Sequence, residues 1–500
     1  MKLSKTIAFT AAALMLAGGI AQAKPLVYPV GTVRYNPEKA YNSYVILPSP
    51  RTAKLIDRNG NLVKEWDNKG PHYGMPNKVL PGGYLMTSLY PQFADGWQDN
   101  NMVAILDWDG NVVRKFNKNL KVEGELPGTP KDANGETWVA RQHHDYEIEG
   151  MTTGYYAPDQ KPNLDGKLLV LAHQNGKHPG INQNQLVDDV ILIVDKDEKV
   201  IWEWHAADHF EEFGYTPAAV AKTRAMATAK KPTPYQGIDW FHINCASWLG
   251  PNKWYDAGDK RFHPDNIICD SRQTSHLFII DHETGNIVWQ VAPPFVGADA
   301  QLAPIAGVHG THMIPKGLPG EGNIMFFDNG SSMPNNIYVD QNHAYSRVVE
   351  FNPVTKKKVW EYSGLTAGIG AQRADNYFFS QFISIAQRLP NGNTFITEGS
   401  CNRLLEVTPE REIVWEYINP YNEPAITYRA YAVPYEYVPQ LEKPREVSVT
   451  PPSNLVFLMP NDEGDLPNYK PVMDKGEKVQ FGDPVPALTP AYAKKIGLNK

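Results

Sequence analysis

Short apolar runs alternating with polar positions recur in pairs along this chain, each pair joined by a turn-forming cluster. Residues 42–66 read NSYVILPSPRTAKLIDRNGNLVKEW, two such runs joined by Asp57-Arg58-Asn59-Gly60. Alternation of period two around an Asn-Gly turn predicts an antiparallel hairpin with one buried face. The hairpin returns as VAILDWDGNVVRKF (103–116), VILIVDKDEKVIWEW (190–204), LFIIDHETGNIVWQV (277–291), RVVEFNPVTKKKVWEY (347–362) and LLEVTPEREIVWEY (404–417), each copy ending near a Trp or another aromatic.

Ahead of five hairpins lies a weaker pattern: apolar strand, Pro/Gly turn, apolar strand, at 75–88, 143–173, 242–272, 312–330 and 384–400. Two strands and a hairpin make a four-stranded antiparallel unit, and units spaced by roughly 50–90 residues predict a propeller. The expected fold is all-β, a six-bladed β-propeller with a short helical insertion at 206–238 and an extended C-terminal segment. In such a ring each sheet is covered by its neighbours. Trp66, Phe116, Trp202, Trp204, Trp289, Trp360 and Trp415 are expected to fill the widening wedges between them. The first unit lacks an innermost strand, which the segment around Tyr428 to Pro434 is expected to supply.

Composition supports this: Tyr (25), Trp (12), Gly (39) and Pro (41) favour strands and turns over long helices. A net charge of −7 without any basic run argues against nucleic acid as a partner. Lys2, Lys5, the apolar run from Ile7 to Ile20 and Ala21-Gln22-Ala23 predict a signal peptide over 1–23. Its apolar core is short for a membrane span, so no stable membrane insertion is expected and the location is periplasmic or secreted. Residues 24–440 then form the propeller and 441–500 a tail with little periodicity. Cys245, Cys269 and Cys401 allow at most one internal disulfide. Cys245 and Cys269 fall on neighbouring strands, where either a bridge or two buried thiols would fit. A monomer and a homodimer are both compatible with the sequence.

The innermost strand of each propeller unit lines the central channel, so polar residues at its start converge near the axis. Three consecutive units start with histidine there: His143 and His144, then His242 with Asn244, then His309 and His312 in the glycine-rich stretch from Gly307 to Gly330. Arg272 follows the apolar strand IICDS and is held near the sheet. A guanidinium beside several imidazoles suits a tetrahedral oxyanion such as sulfate or phosphate. The histidines would also suit iron, copper or zinc, but Arg272 repels a cation and only Asp145 offers a nearby carboxylate, so neither metal nor cofactor is expected. A binding platform without chemistry is the other competing reading.

The stretch DWFHINCASWLGPNKWYDAGDKRFHPDNIICDSR (239–272), with HGTHMIPKGLPGEGNIMFFDNG (309–330) and YSRVVEFNP (345–353), resembles the bacterial arylsulfate sulfotransferase family. The likeness runs from VRYNPEKAYNSYVIL near the start to TYRAYAVPYEY at 427–437. It implies a periplasmic six-bladed propeller that moves a sulfuryl group from an aryl sulfate ester to a phenol through a sulfohistidine, in ping-pong fashion and without the nucleotide donor PAPS. It also implies that His242 and Asn244 form the family's His-x-Asn, and that Arg272 clamps sulfate. His309, six residues before Pro315, takes the place of the nucleophile, with His312 close enough to be its rival. One of His143 and His144 is the remaining active-site histidine, and Thr397 is the candidate for a threonine at the site. The chemistry is consistent: a neutral imidazole is not repelled by the sulfate anion. A departing phenolate, of reference pKa about 10, gains from a general acid, the role expected of His143 or His144.

Overall fold

All six hairpins form in the computed structural model, which describes residues 30–67, 75–92, 99–123, 129–227, 237–331, 337–368, 377–421 and 426–450. The pairs are Thr52–Ile56 with Leu62–Asp67, Asp99–Leu106 with Val112–Phe116, and Gln185–Val194 with Val200–His205. They continue with His276–Ile280 and Ile287–Val291, Arg347–Phe351 and Lys358–Ser363, and Arg403–Val407 and Ile413–Ile418. Side chains fix the turns. The Asp57 carboxylate accepts from the Asn61 backbone and side-chain amides, both at 2.8 Å, and Asp107 repeats this with Asn111 at 2.8 and 2.9 Å. Such local bonds set hairpin register before any long-range contact exists.

The result is an all-β, propeller-like fold with few helices. It departs from six separate blades. Four units stand as separate sheets, while the second and third are joined in one nine-stranded sheet. The seam is a single pairing, Gln142 opposite Asn100, where the innermost strand of the third unit meets Asp99–Leu106. Met1–Ser448 form one compact unit and Val449–Lys500 a second, and every element named here belongs to the first. The stretch expected to be a signal peptide, residues 228–236 of the insertion and 451–500 of the tail lie outside the described residues. The described part of the insertion is a 3-10 helix, Ala206–Phe213, then an α-helix, Pro217–Ala225, capped by the Thr216 hydroxyl and started by Pro217.

The two ends of the compact unit are stitched into each other's sheets. Tyr431–Val433 pairs with Tyr44–Ser49 and supplies the innermost strand of the first sheet, as the sequence suggested. Gly31–Tyr35 pairs with Ile413–Ile418 as the outermost strand of the last.

The hairpin aromatics do more than fill space. The indole N–H of Trp66 donates to Asp107 O at 3.1 Å, Trp204 to Gly285 O at 2.9 Å, Trp289 to Pro353 O at 2.9 Å, Trp360 to Pro409 O at 2.9 Å and Trp415 to Arg58 O at 2.8 Å. Each indole thus caps the turn of the following hairpin, and the last returns to the first. In the second unit Phe116 has no donor, and Arg114 reaches Asp195 O at 3.3 Å in its place.

Cys245 and Cys269 are buried free thiols. Register explains this: Cys245 lies opposite Asp270 and Cys269 opposite Ala246, so the two side chains leave opposite faces of the sheet.

Candidate active site

Each of the three histidine-bearing strands is irregular where the histidines stand. Register shifts fall between Gln142 and Tyr146, between Ile243 and Cys245, and between His309 and His312. His144 and His242 take left-handed backbone angles, φ +52° and +59°. Bulges bend a strand and re-aim its side chains, and strain of this kind gathers at functional sites. Gly310 (φ +64°) permits the third bulge, because a Cβ there would lie 2.8 Å from Ile385 Cγ1. The three strands pack beside one another in order, which brings the bulged ends together.

His143 and His144 meet through their Nδ1 atoms at 2.8 Å, and the two rings then part. His143 turns away from the other site histidines, with Nε2 3.2 Å from Ala172 O and its ring stacked on His173 at 3.6 Å. His144 meets His242 edge to face at 4.6 Å. Tyr428 holds the bend by donating to His144 O at 3.1 Å. His242 Nδ1 lies 2.6 Å from Asp239 Oδ2, and its backbone N–H donates to Asp189 Oδ2 at 2.9 Å. Asn244 donates to Val308 O at 2.8 Å while its buried Oδ1 has no hydrogen-bond partner.

His309 is held at one nitrogen and offers the other. Nδ1 lies 2.6 Å from Asn329 Oδ1 and 2.9 Å from Gly307 O, both acceptors, so the proton sits on Nδ1 and the lone pair on Nε2. Asn329 is oriented by its own amide, which donates to Ser380 O at 2.6 Å and Ile383 O at 2.9 Å. The Ile383 N–H donates to His309 Nε2 at 3.1 Å, a bond that any electrophile at Nε2 has to displace.

Burial pushes His143, His144 and His309 well below the ordinary imidazole range, and for His309 the charges of Arg272 and Arg429 add to it. His242 is lowered by burial and Arg272 against the opposing pull of Asp239. Burial alone would raise the Asp239 carboxyl, but His242 and then Arg272 hold it down to about 2. All four imidazoles are therefore neutral at pH 7. His144 and Arg272 are half-buried, whereas His143, His242, Asn244 and His309 are buried.

The second cation of the site, Arg429, carried no signal in the sequence beyond standing in the closing segment. It is fully buried, with Nη1 3.0 Å from Asp145 Oδ2 and Nη2 donating to Asn244 O. Asp145 also takes the Lys78 ammonium at 2.8 Å on Oδ1. This chain of charges ties the second, third and fourth units to the strand that closes the first. Asp189, Asp239 and His173 also went unread; Asp189 and His173 stand in the middle of the strands Gln185–Val194 and Leu168–Lys177, whose own patterns are unremarkable.

Two expected residues serve the scaffold. His312 has both nitrogens engaged, Nδ1 to Gly310 O at 2.8 Å and Nε2 to the Tyr155 hydroxyl at 2.9 Å, which leaves nothing for a ligand. Thr397 Oγ1 accepts from Ala430 N–H at 3.1 Å and so holds the segment carrying Tyr428 and Arg429. Burial first of all brings His312 to a pKa of about 4. An unfolded histidine titrates near 6.5, so the stabilisation is complete above that pH and is lost as pH falls towards 4, about 3 kcal/mol in all. Melting temperatures of wild type and His312→Gln between pH 7 and 4.5 test this. The wild type should lose stability more steeply with acid, and equal slopes would contradict it.

Residues 82–429 match the arylsulfotransferase (ASST) family. The chain belongs to the arylsulfotransferase family. Every site residue from His143 to Arg429 falls inside the matched stretch, and the family carries aryl sulfotransferase activity with phenols and aryl sulfates as substrates. No curated protein matches the chain. Among solved structures it is similar to a protein of unknown function from Bacteroides caccae, at 11% identity and TM-score 0.39 over 79% of this chain and 99% of that one. It is also similar to a streptogramin B lyase, at 12% identity and TM-score 0.33 over 78% and 87% of the two chains. A third is the Pan2 WD40 domain of Neurospora crassa, at 10% identity and TM-score 0.34 over 86% and 95%. Among the described residues no helix is long and apolar enough to cross a membrane.

Proposed function

We propose that this arylsulfotransferase moves a sulfuryl group from an aryl sulfate to a phenol through a sulfohistidine at His309, without PAPS, in the periplasm or outside the cell. The observation that carries this is the His309 imidazole: neutral, fixed at Nδ1 by Asn329, and under the charges of Arg272 and Arg429.

In the first half-reaction the Nε2 lone pair forms the N–S bond as the S–O bond to the aryl group breaks. The aryl oxygen leaves with the electron pair, takes a hydrogen bond from His144 and picks up its proton from solvent. In the second half-reaction the acceptor phenol gives its proton to neutral His144, which passes it to solvent, its oxygen bonds to sulfur and the N–S bond breaks. Arg272 and the second N–H of the Asn244 amide are the donors for the negative charge on the nonbridging oxygens. The Ile383 N–H, released from Nε2, becomes one more donor to them. His143 acts through His144 as a positioning residue.

The six-unit ring belongs to the same reading. Counting the nine-stranded sheet as two units gives one step per side-chain bond around the ring, from Trp66 back to Arg58.

Incubation with p-nitrophenyl sulfate and phenol tests the reaction. Release of p-nitrophenol together with phenyl sulfate, with parallel lines in double-reciprocal plots, is the expected result. Release no faster than in buffer sinks the proposal.

A further inference from the structure

Behind the site, three buried donor atoms converge where the transfer reaction makes no use of them. They are His143 Nε2, His173 Nε2 and Asp189 Oδ1, all within 4.8 Å of one another. His143 Nε2 lies 3.3 Å from Asp189 Oδ1, and His173 Nε2 lies 3.8 Å from it. The two imidazoles stack almost parallel, 9° apart, and each has its Nε2 towards Asp189 Oδ1.

The protonation pattern makes this convergence unusual. His173 Nδ1 lies 2.7 Å from Asp99 Oδ1, and Asp99 is itself fixed by Arg141 at 2.7 Å. A carboxylate only accepts, so the His173 proton stays on Nδ1 and its Nε2 presents a lone pair. That Nε2 is buried, has no hydrogen-bond partner, and faces a second carboxylate. A gap of 3.8 Å is too long for a proton to bridge as a hydrogen bond. It does match two metal–ligand bonds of about 2.0–2.2 Å meeting at an obtuse angle, and the 3.3 Å separation matches two such bonds near the tetrahedral angle.

The outer groups are those that metal-binding histidines commonly have. Asp99 backs His173, His144 backs His143 at 2.8 Å, and Asp189 Oδ2 takes the His242 backbone N–H at 2.9 Å. Arg141 is occupied by Asp99, and Arg272 lies beside Asp239. Among the described residues, the only basic side chains within ion-pair distance of Asp189 are the two imidazoles.

We propose that His143, His173 and Asp189 form a binding site for one borderline divalent cation, of which zinc best suits two imidazoles and a carboxylate. A cation on His143 Nε2 takes the place of the bond to Ala172 O and moves that ring's proton to Nδ1, which then donates to His144 Nδ1. His144 is thereby left with its proton on Nε2, the form that can donate to a departing aryl oxygen. This last consequence rests on the sulfuryl-transfer reading; the cation site does not.

The test is zinc content and affinity in the full-length chain, measured by elemental analysis and competition with a chromophoric chelator. Its parent is the His282→Ala variant, which removes a separate, solvent-facing trio of His263, Asp265 and His282. One zinc ion per chain is expected in this parent, and Co(II) in its place should give visible d–d absorption. Adding Asp189→Asn or His173→Gln should abolish both, and Asp99→Asn should weaken binding about 10–100-fold. Asp189→Asn keeps the shape of the side chain and an oxygen for one of the His242 and Ile243 N–H groups, which bond to different carboxylate oxygens, and near-ultraviolet circular dichroism checks that each variant is folded. Zinc uptake by the parent no greater than by a folded Asp189→Asn or His173→Gln version overturns the proposal. His309→Ala should still bind zinc while losing transfer, so failure of the cation site and failure of the transfer reading are told apart.

Discussion

His309→Ala is expected to lower sulfuryl transfer at least about 10³-fold while the chain stays folded. The His309 imidazole has Nδ1 fixed by two acceptors, while the Nε2 lone pair, which accepts the Ile383 N–H, lies under the charges of Arg272 and Arg429. A burst experiment gives the sharper form of this result. Wild type mixed with p-nitrophenyl sulfate and no acceptor should release one equivalent of p-nitrophenol quickly. The peptide containing His309 should then carry the added mass of one SO₃ group. The adduct on the peptide containing His144 would reassign the nucleophile, and full activity in His309→Ala would remove it altogether. Added imidazole should restore part of the variant's rate, which loss of a merely structural side chain would not allow. Some loss of stability, about 1–3 kcal/mol, is expected because Asn329 Oδ1 is left buried without its donor.

Asp145→Asn should destabilise the protein by about 3–5 kcal/mol, seen as a lower urea midpoint with an unchanged slope. Asp145 is the anion that two buried cations share, Lys78 at 2.8 Å and Arg429 at 3.0 Å, and none of the three side chains is more than 2% exposed. Burial would raise its carboxyl, but Lys78 and then Arg429 hold it below the usual range, so it is ionised at working pH. The neutral amide leaves two positive charges facing each other in a medium of low dielectric. Adding Lys78→Met should recover part of the loss, because it withdraws one of them. A single variant as stable as wild type would show that the pair carries no net interaction.

What the sequence disclosed and what it withheld divide along contact distance. Hairpins were legible because alternation and the Asp-to-Asn turn bonds are local, as at Asp57 and Asp107. The histidines His144, His242 and His309 were legible because each begins an innermost strand. The choice between His143 and His144 was not, since a left-handed residue in a bulge reverses the alternation that would have told them apart. Nor was His309 against His312. Three residues apart on a strand, they end in different surroundings only because Gly310 carries the bulge between them. Arg429, His173 and Asp189 were missed for another reason. Their meaning lies in partners distant in sequence, as in the 284 positions between Arg429 and Asp145. The count of separate sheets failed on one pairing, Gln142 with Asn100, which no turn or pattern announces.

The strand Tyr431–Val433, laid against Tyr44–Ser49, also sets a timetable. A chain made from its N-terminus carries an incomplete first sheet, with the edge of Tyr44–Ser49 unpaired, until almost all the rest has followed. Arg429 arrives two residues ahead of that strand, so the second positive charge beside His309 is delivered by the closure itself. A nascent or truncated chain that stops short of this point has histidines without their full cationic surround. The protein therefore completes its first sheet and the charge around its histidines in one late event.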